Sequence, residues 1–206
     1  MRLNRGLNDR QNRALLEISN IGMGHAATAL SQLIGETVEL RVSRITLTGT
    51  DRLSQLFGGT ARKVAGIRLQ MLGEARGMIL LTFPDGSARS LLTRLLGGDR
   101  RKRRLDELGI STLKEVGNIL ASAYLTALSG LLGLTLIPSV PSLSYDTAAA
   151  VLDPLLGPLP GAEERALVVE TEFHTPREGS AAIGGHFFLL PEVASLQRLL
   201  AALERA

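Results

Sequence analysis

Two stretches of the chain place a carboxylate and a carboxamide three residues apart, where both could act on one ligand. Glu115 and Asn118 form one pair, and Glu17 and Asn20 form the other. On a helix, residues three apart lie on the same face. A carboxamide only donates and accepts hydrogen bonds, so its natural catalytic task is to hold a water molecule. A carboxylate can accept a proton, bind a cation or pair with a basic side chain of a partner.

Each pair lies on a narrow polar stripe of a predicted helix. At 100° per residue the stripe spans about 60°, and the other faces carry leucine, isoleucine and valine. The residues of the stripe are Ser111, Glu115, Asn118, Ser122 and Ser129 in the second half, and Arg13, Glu17, Asn20, Gly24 and Ser31 in the first. The simpler interpretation is a solvated face of an amphipathic helix. Because the pair occurs twice, a functional site is an equal alternative.

The pairs recur because the chain contains an internal repeat. With a shift of 98 residues, segment 16–35 lies over 114–133, and nine of the twenty positions are identical. Each half is predicted to contain a long helix, strands, and a helix with a proline in its first turn. The predicted strands are 37–48, 63–72 and 77–83 in the first half, and 134–140, 166–173 and 181–190 in the second.

The repeat predicts a single domain over residues 1–206, of the α/β or layered α+β class. The half-repeats 1–99 and 105–206 each present one apolar face. They are expected to pair about a pseudo-twofold axis, with long helices packed on a central β-sheet. A loop carrying the basic run 100–104 (RRKRR) joins the halves, and 153–164 is predicted to be a second loop.

The composition excludes several kinds of active site. The chain has no cysteine, so thiol nucleophiles and cysteine-ligated metals are excluded. The histidines His25, His174 and His186 are scattered, so no metal site is expected, and His25 is expected on the flank of its helix. With two tyrosines, five phenylalanines and no tryptophan, the chain is poorly equipped to bind single-stranded nucleic acid. The basic run could bind nucleic acid phosphates or steer the encounter with an acidic partner, but it is interpreted as a solvated linker, and no nucleic-acid partner is expected.

Segment 116–137 contains no charged residue and is long enough to span a bilayer. Its glycines, and Pro138 and Pro141 close to its end, instead predict a helix that ends near Gly130 or Gly133 and is followed by a strand. The N-terminus lacks the apolar core of a signal peptide. We therefore expect a cytoplasmic protein without a membrane span.

The second pair belongs to a longer pattern, Ser111-x3-Glu115-x2-Asn118-x22-Pro141. This pattern resembles, in every spacing, the motif of the CheC/CheX/FliY chemotaxis phosphatases, in which Ser111 and Pro141 would support the acid and the amide. Segment 20–29 (NIGMGHAATA) is similar to the first helix of the CheC-type members, and the length and two-copy plan resemble them too.

The resemblance implies that the chain dephosphorylates a CheY-type response regulator in chemotaxis. It implies that Asn118 and Asn20 orient the attacking water, and that Glu115 and Glu17 pair with the regulator's active-site lysine. The regulator would supply the phosphoaspartate and Mg²⁺, so the chain is expected to hold no cofactor of its own.

The first copy departs from this pattern at two positions. Arg13 stands where Asp or Ser is expected, and Ser43 stands where Pro is expected. Because only the second motif is complete, the second site is predicted to carry more of the activity.

The same resemblance implies a second partner, the receptor deamidase CheD, which would dock on stretch 143–150 through Tyr145, Asp146 and Ala149. Alternatively, this stretch is merely a short helix capped by Ser144 or Asp146. The alternative function is a non-enzymatic flagellar-switch or chemotaxis adaptor of the same fold. Such an adaptor would lack the duplicated Glu–Asn pairs. The chain is expected to be a monomer.

Overall fold

Helices and antiparallel strands make up the part of the chain that the computed structural model describes, residues 9–49, 61–99, 105–152, 165–174 and 183–205. In chain order the elements are α1 (Asp9–Ile34), β1 (Glu39–Gly49), β2 (Lys63–Gly73), β3 (Gly77–Pro84), α2 (Asp85–Leu96), α3 (Glu107–Leu132), β4 (Leu136–Pro138), β5 (Ser142–Thr147), α4 (Ala148–Leu152), β6 (Arg165–His174), β7 (His186–Pro191) and α5 (Val193–Leu203).

The two long helices, α1 and α3, each contain 26 residues, and their bounds differ by the same 98 residues as the sequence repeat. Both are followed by a glycine with a positive φ, 73° at Gly35 and 63° at Gly133. The Gly35 amide donates to the Ser31 carbonyl oxygen, and the Gly133 amide donates to that of Ser129. Glycine is favoured at such a left-handed helix end. The predicted end of α3 near Gly133 is therefore confirmed.

Two matched serines tie each long helix to the strand that follows it. The Ser31 hydroxyl oxygen accepts from the Val38 amide at 2.9 Å, and the Ser129 hydroxyl oxygen accepts from the Leu136 amide at 3.1 Å. These serines belong to the polar stripe defined above, but the structure uses them to fix the path of the backbone.

The seven strands form one antiparallel sheet in the order β1-β6-β7-β3-β2-β4, with β5 also paired to β2. The mixed α+β class is therefore confirmed. The edge strand of each half pairs with the other half: β1 with β6, and β4 and β5 with β2. If each first-half strand is exchanged with its second-half equivalent (β1 with β4, β2 with β6 and β3 with β7), the same order results, read from the opposite edge of the sheet. Each half thus completes the sheet of the other.

The short helix considered for 143–150 is wrong over most of its length. Residues 142–147 form β5, whose side chains alternate between exposed and half-buried while the strand pairs with β2. The helix α4 begins only at Ala148, and its cap is Thr147, whose hydroxyl oxygen accepts from the Ala150 amide at 3.3 Å. Leu143 and Tyr145 alternate with polar residues, as in a strand with one face covered, and the alanines that favour a helix begin only at Ala148.

The other predicted elements need smaller corrections. The strand predicted at 134–140 is only Leu136–Pro138, and that predicted at 181–190 is His186–Pro191, with residues 181–182 outside the described part. Pro84 is the N-cap of α2 rather than a first-turn residue, and Glu192 is the N-cap of α5, so Pro191 lies one residue earlier. Both prolines close the preceding strand. The loops predicted at 100–104 and 153–164 lie outside the described residues.

Two hydrophobic clusters pack on opposite faces of the sheet. The larger cluster lies between the sheet and α1, α2, α3 and α5, and the smaller one lies beneath α4. By length and composition α3 could cross a membrane. One face of α3, which includes Leu113, Val116 and Leu120, is buried in the larger cluster, whereas Leu108 and Ile110 are exposed.

The backbone of α3 lies unusually close to β2 at Gly117. A Cβ atom at this position would stand 2.5 Å from Cγ2 of Ile67, closer than real side chains come. Glycine is therefore required at this position, because it allows the backbone of α3 to pack directly against the side chain of Ile67 on β2.

Tyr124 joins the two long helices in the core. Its ring packs on Phe187 with 4.7 Å between ring centroids, and its hydroxyl shares a hydrogen bond with the Ser19 hydroxyl at 3.3 Å. Complete burial raises the pKa of Tyr124 to about 12.

We predict that Gly117→Ala destabilises the protein by about 1–3 kcal/mol, because the β-branched Ile67 cannot move aside without disturbing the core. The matched control is Gly130→Ala in the same helix, where a Cβ would meet nothing within 4 Å. That control should be neutral or stabilise by up to about 1 kcal/mol. Urea unfolding of the three proteins measures both effects, and equal midpoints for the two variants would contradict the close packing at Gly117.

We also predict a loss of stability at high pH that depends on Tyr124. Its folded-state pKa of about 12 lies above the ordinary value of 10.0, so the folded state binds the proton more tightly. The free energy of unfolding should therefore fall as the pH rises from 10 towards 12, by at most about 1.4 kcal/mol per pH unit. Tyr124→Phe should remove this component. Urea unfolding between pH 9.5 and 11 compares the slopes, and identical slopes for the two proteins would exclude it.

Candidate functional site

One open cleft brings together the four residues of the second motif. It has a volume of about 640 Å³ and lies between the N-terminal half of α3 and segment 138–141. Ser111, Glu115 and Asn118 line it from the helix, and Pro141 lines it from the other wall. The remaining lining residues are Glu107, Ile110, Lys114, Pro138, Ser139 and Val140.

The distance along the chain between Asn118 and Pro141 matches the path that the backbone takes. Asn118 lies 14 residues before the end of α3 at Leu132, which is about 21 Å at 1.5 Å per residue. The chain then turns back, and the seven residue-to-residue steps from Leu134 to Pro141 cover about 23 Å in an extended conformation. The spacing therefore brings Pro141 level with Asn118.

Hydrogen bonds at both ends of the turn between α3 and β4 fix the path by which the chain returns alongside α3. Leu136 is tied to Ser129, as described above. The Thr135 amide donates to a carboxylate oxygen of Glu74 at 2.6 Å, and the Glu74 amide donates to the Thr135 carbonyl oxygen at 2.9 Å. The segment that follows is therefore positioned before any ligand arrives.

Burial of the neighbouring residues orients the acid and the amide. Leu113, Val116 and Gly117 face the core, so Glu115 is exposed and Asn118 is half-buried at the floor of the cleft. Among the described residues, none forms a hydrogen bond or ion pair with the side chain of either Glu115 or Asn118. Both side chains therefore keep their full hydrogen-bonding capacity for a ligand.

Segment 138–141 forms a rigid wall opposite the helix. The Ser139 amide donates to the Gln70 carbonyl oxygen at 2.9 Å, and the Gln70 amide donates to the Ser139 hydroxyl oxygen at 2.8 Å. Pro138 and Pro141 restrict the backbone on either side. This wall continues the sheet across the short break between β4 and β5.

The first motif has a different setting. Glu17 and Asn20 are exposed on α1, as is Arg13. The strand β1 runs without a break past Ser43, the position equivalent to Pro141, and its register with β6 shifts between Val42 and Arg44. The proline-bounded wall of the second cleft has no counterpart in β1.

Sequence reasoning missed several residues of the cleft. Glu107 and Lys114 lie within 40° of the polar stripe on a helical projection, so a wider arc would have included them. The residues of the opposite wall, Ser139 and Val140, become visible only in the tertiary structure. His25, which was expected on the helix flank, is exposed.

The three residues considered for partner docking have unequal environments. Asp146 and Ala149 are exposed. Tyr145 is half-buried, and its hydroxyl donates to the carboxylate of Asp85, which also accepts from Arg89. Partial burial and the contact with Asp85 raise the pKa of Tyr145. The hydroxyl of Tyr145 therefore anchors β5 to α2, and the accessible surface is that of Asp146 and Ala149.

No group of three or more histidine, aspartate or glutamate side chains in the described ranges could hold a metal ion. The cleft itself carries two acidic residues, Glu107 and Glu115, and one cation, Lys114.

The exchanged sheet and its two long helices define the fold class of FliY and the FliM middle domain. FliY of Thermotoga maritima superposes with a TM-score of 0.77, at 21% identity over 97% of this chain and 98% of that one. The FliM middle domain of H. pylori superposes with a TM-score of 0.70, at 13% identity over 95% of this chain and 99% of that one. At these identities the likeness concerns the fold alone.

Sequence comparison is more specific. The model of the CheC-like family matches residues 14–42 and 108–145, which include both Glu–Asn pairs. The CheY-P phosphatase CheC of Bacillus subtilis is 36% identical over 201 residues, which is 96% of each chain. The chain belongs to the CheC-like family.

Proposed function

We propose that this chain hydrolyses the phosphoaspartate of a CheY-type response regulator in the cleft of the second motif. The observation that carries the proposal is the meeting of Ser111, Glu115, Asn118 and Pro141 in one open cleft. The acid and the amide have no partner among the described residues, so they are available to another molecule. The activity named for the B. subtilis relative supports the same substrate.

Asn118 would place the attacking water. Its carboxamide can accept a hydrogen bond from the water and donate one to the phosphoryl group, which sets the water in line with the bond that breaks. An acyl phosphate is already activated, and phosphoryl transfer is catalysed mainly by positioning and charge stabilisation. No general base from this chain is needed for that role.

Glu115 would anchor the regulator. Its carboxylate is exposed at the cleft, one turn of helix before Asn118, so it can pair with a lysine beside the partner's phosphorylation site. Such a pair fixes the orientation of the two proteins and places Asn118 at the phosphoryl group. The Mg²⁺ that neutralises the phosphoryl oxygens would belong to the regulator.

The first motif would contribute less. Glu17 and Asn20 are exposed and could reach a partner, but Arg13 places a cation where the motif has a small or acidic residue. The continuous strand past Ser43 also lacks the proline-bounded wall. We therefore assign most of the activity to the second site.

A non-enzymatic adaptor is the second candidate, because the fold is shared with the FliM middle domain. An adaptor of this kind would bind its partner without accelerating phosphate release. The measurement of phosphate release described next distinguishes the two functions.

We expect Asn118→Ala to remove most of the phosphatase activity, because the water loses its in-line position. Asn20→Ala should remove only a minor part, and the double variant should lose about 10²-fold in kcat. The assay follows phosphate release from a phosphorylated CheY-type regulator with Mg²⁺, corrected for the regulator's own hydrolysis. Urea midpoints close to wild type show that the variants are folded. Equal losses for the two single variants would contradict the ranking of the sites, and no acceleration by wild type would support the adaptor.

We further propose that Asp146 and Ala149 belong to a docking surface for a CheD-type deamidase. Ala149→Glu should abolish co-purification with the deamidase and leave phosphate release unchanged, because α4 lies on the face of the sheet opposite α3. The matched control is Ala201→Glu, another exposed alanine, on α5. Unimpaired co-purification of the Ala149 variant would exclude this surface.

A further inference from the structure

Val140 stands at the lip of the cleft as an unusually exposed apolar side chain. It is 86% exposed, whereas Ile137, the apolar residue three positions earlier, is 54% exposed. Single apolar residues on a surface need no explanation. Val140, however, lines the same cleft as Glu115 and Asn118, so any molecule that reaches those residues passes beside it.

The wall that carries Val140 is fixed in advance. Ser139 is tied to Gln70 through its amide and its hydroxyl, and that hydroxyl also donates to the Val140 carbonyl oxygen at 3.2 Å. Pro141 restricts Val140 to an extended backbone conformation. An apolar contact on a rigid segment costs little conformational entropy when a partner binds.

Ile110 provides a second apolar residue on the opposite wall. It lies on α3, is 36% exposed and lines the cleft. Ile110 and Val140 therefore flank a polar floor that holds Glu115 and Asn118. In protein interfaces, apolar contacts around a polar centre exclude bulk water from it.

The two anchors have no counterparts in the first half. The residue equivalent to Ile110 by the 98-residue shift is Asn12, and the residue equivalent to Val140 is Val42. Val42 packs against the larger core cluster, so it does not project from the surface. Among the residues that the structure describes, this pair of exposed apolar residues is therefore found at the complete motif and not at the first.

We propose that Val140 and Ile110 are the apolar anchors for the receiver domain of the phosphorylated regulator and contact the surface around its phosphoaspartate. This inference rests on the proposed function, since it takes the regulator as the occupant of the cleft. The anchors bind the partner and determine affinity, whereas Asn118 determines the rate of the chemical step. They also give the second site a higher affinity than the first.

The test combines Val140→Thr with Ile110→Thr, which keep the side chains branched and leave the core intact. Calorimetry measures binding to a CheY-type regulator activated with beryllofluoride, a stable analogue of the phosphoaspartate. We expect Kd and KM to rise about tenfold, the loss expected when aliphatic side chains no longer bury apolar surface. The kcat should change less than twofold. The matched control, Ile137→Thr, alters an exposed isoleucine outside the cleft lining and should behave as wild type.

Unchanged Kd and KM in the double variant would overturn the assignment, as would an equal loss in the Ile137 control. The experiment also distinguishes a failure of the phosphatase proposal from a failure of the proposal that Val140 and Ile110 are anchors. If wild type binds the activated regulator without accelerating phosphate release, the phosphatase proposal fails and the Kd comparison still decides the role of the anchors. If wild type does not bind the activated regulator, both proposals are overturned.

Discussion

The close contact between the α3 backbone and Ile67 at Gly117 sets the position of the site. Because position 117 has no Cβ, the helix lies directly on β2. The next residue, Asn118, therefore stands at a fixed height above the sheet. The opposite wall is tied to the same strand, through Ser139 and Gln70. Both walls of the cleft are thus fixed to β2. The width of the cleft therefore does not depend on a flexible connection.

The exchange of edge strands makes the two halves dependent on each other. The strand that follows α3 pairs with β2 of the first half, and the strand that follows α1 pairs with β6 of the second. A Glu–Asn pair from one half is therefore positioned by a sheet that both halves build. This explains how two similar helices can carry unequal sites. The long helices are matched residue by residue, but the strand beside α3 is broken by Pro141 and the strand beside α1 is continuous.

The cleft suits a reaction in which the partner brings the reactive groups. Its floor offers an amide and a carboxylate, and its walls offer two apolar side chains and a lysine. Such a site contributes to a rate mainly by orientation, so rigidity matters more than acid–base strength. The cap of α3 at Gly133, the tied turn after it and the hydrogen-bonded wall all provide that rigidity.

Much of the fold was predictable because its signals are local. The 3.6-residue periodicity and Gly133 indicate the long helices, and apolar runs such as those that end at Pro84 and Pro191 indicate the strands. Stretch 142–147 was misjudged because its strand conformation comes from pairing with β2, more than 60 residues away. Leu143 and Tyr145 alternate with polar residues, which is a short strand signal, but the alanines at 148–150 favoured a helix.

The sequence by itself identified four residues that line the candidate cleft. The order Ser111, Glu115, Asn118 and Pro141 and their spacing are fixed by the rise of a helix and of a returning strand, which are local quantities. Only the tertiary structure decided which side chains complete the site. Val140 and Ile110 line the same cleft because α3 and segment 138–141 are both fixed to β2. A contact of that kind depends on packing between distant segments, and no periodicity within either segment records it.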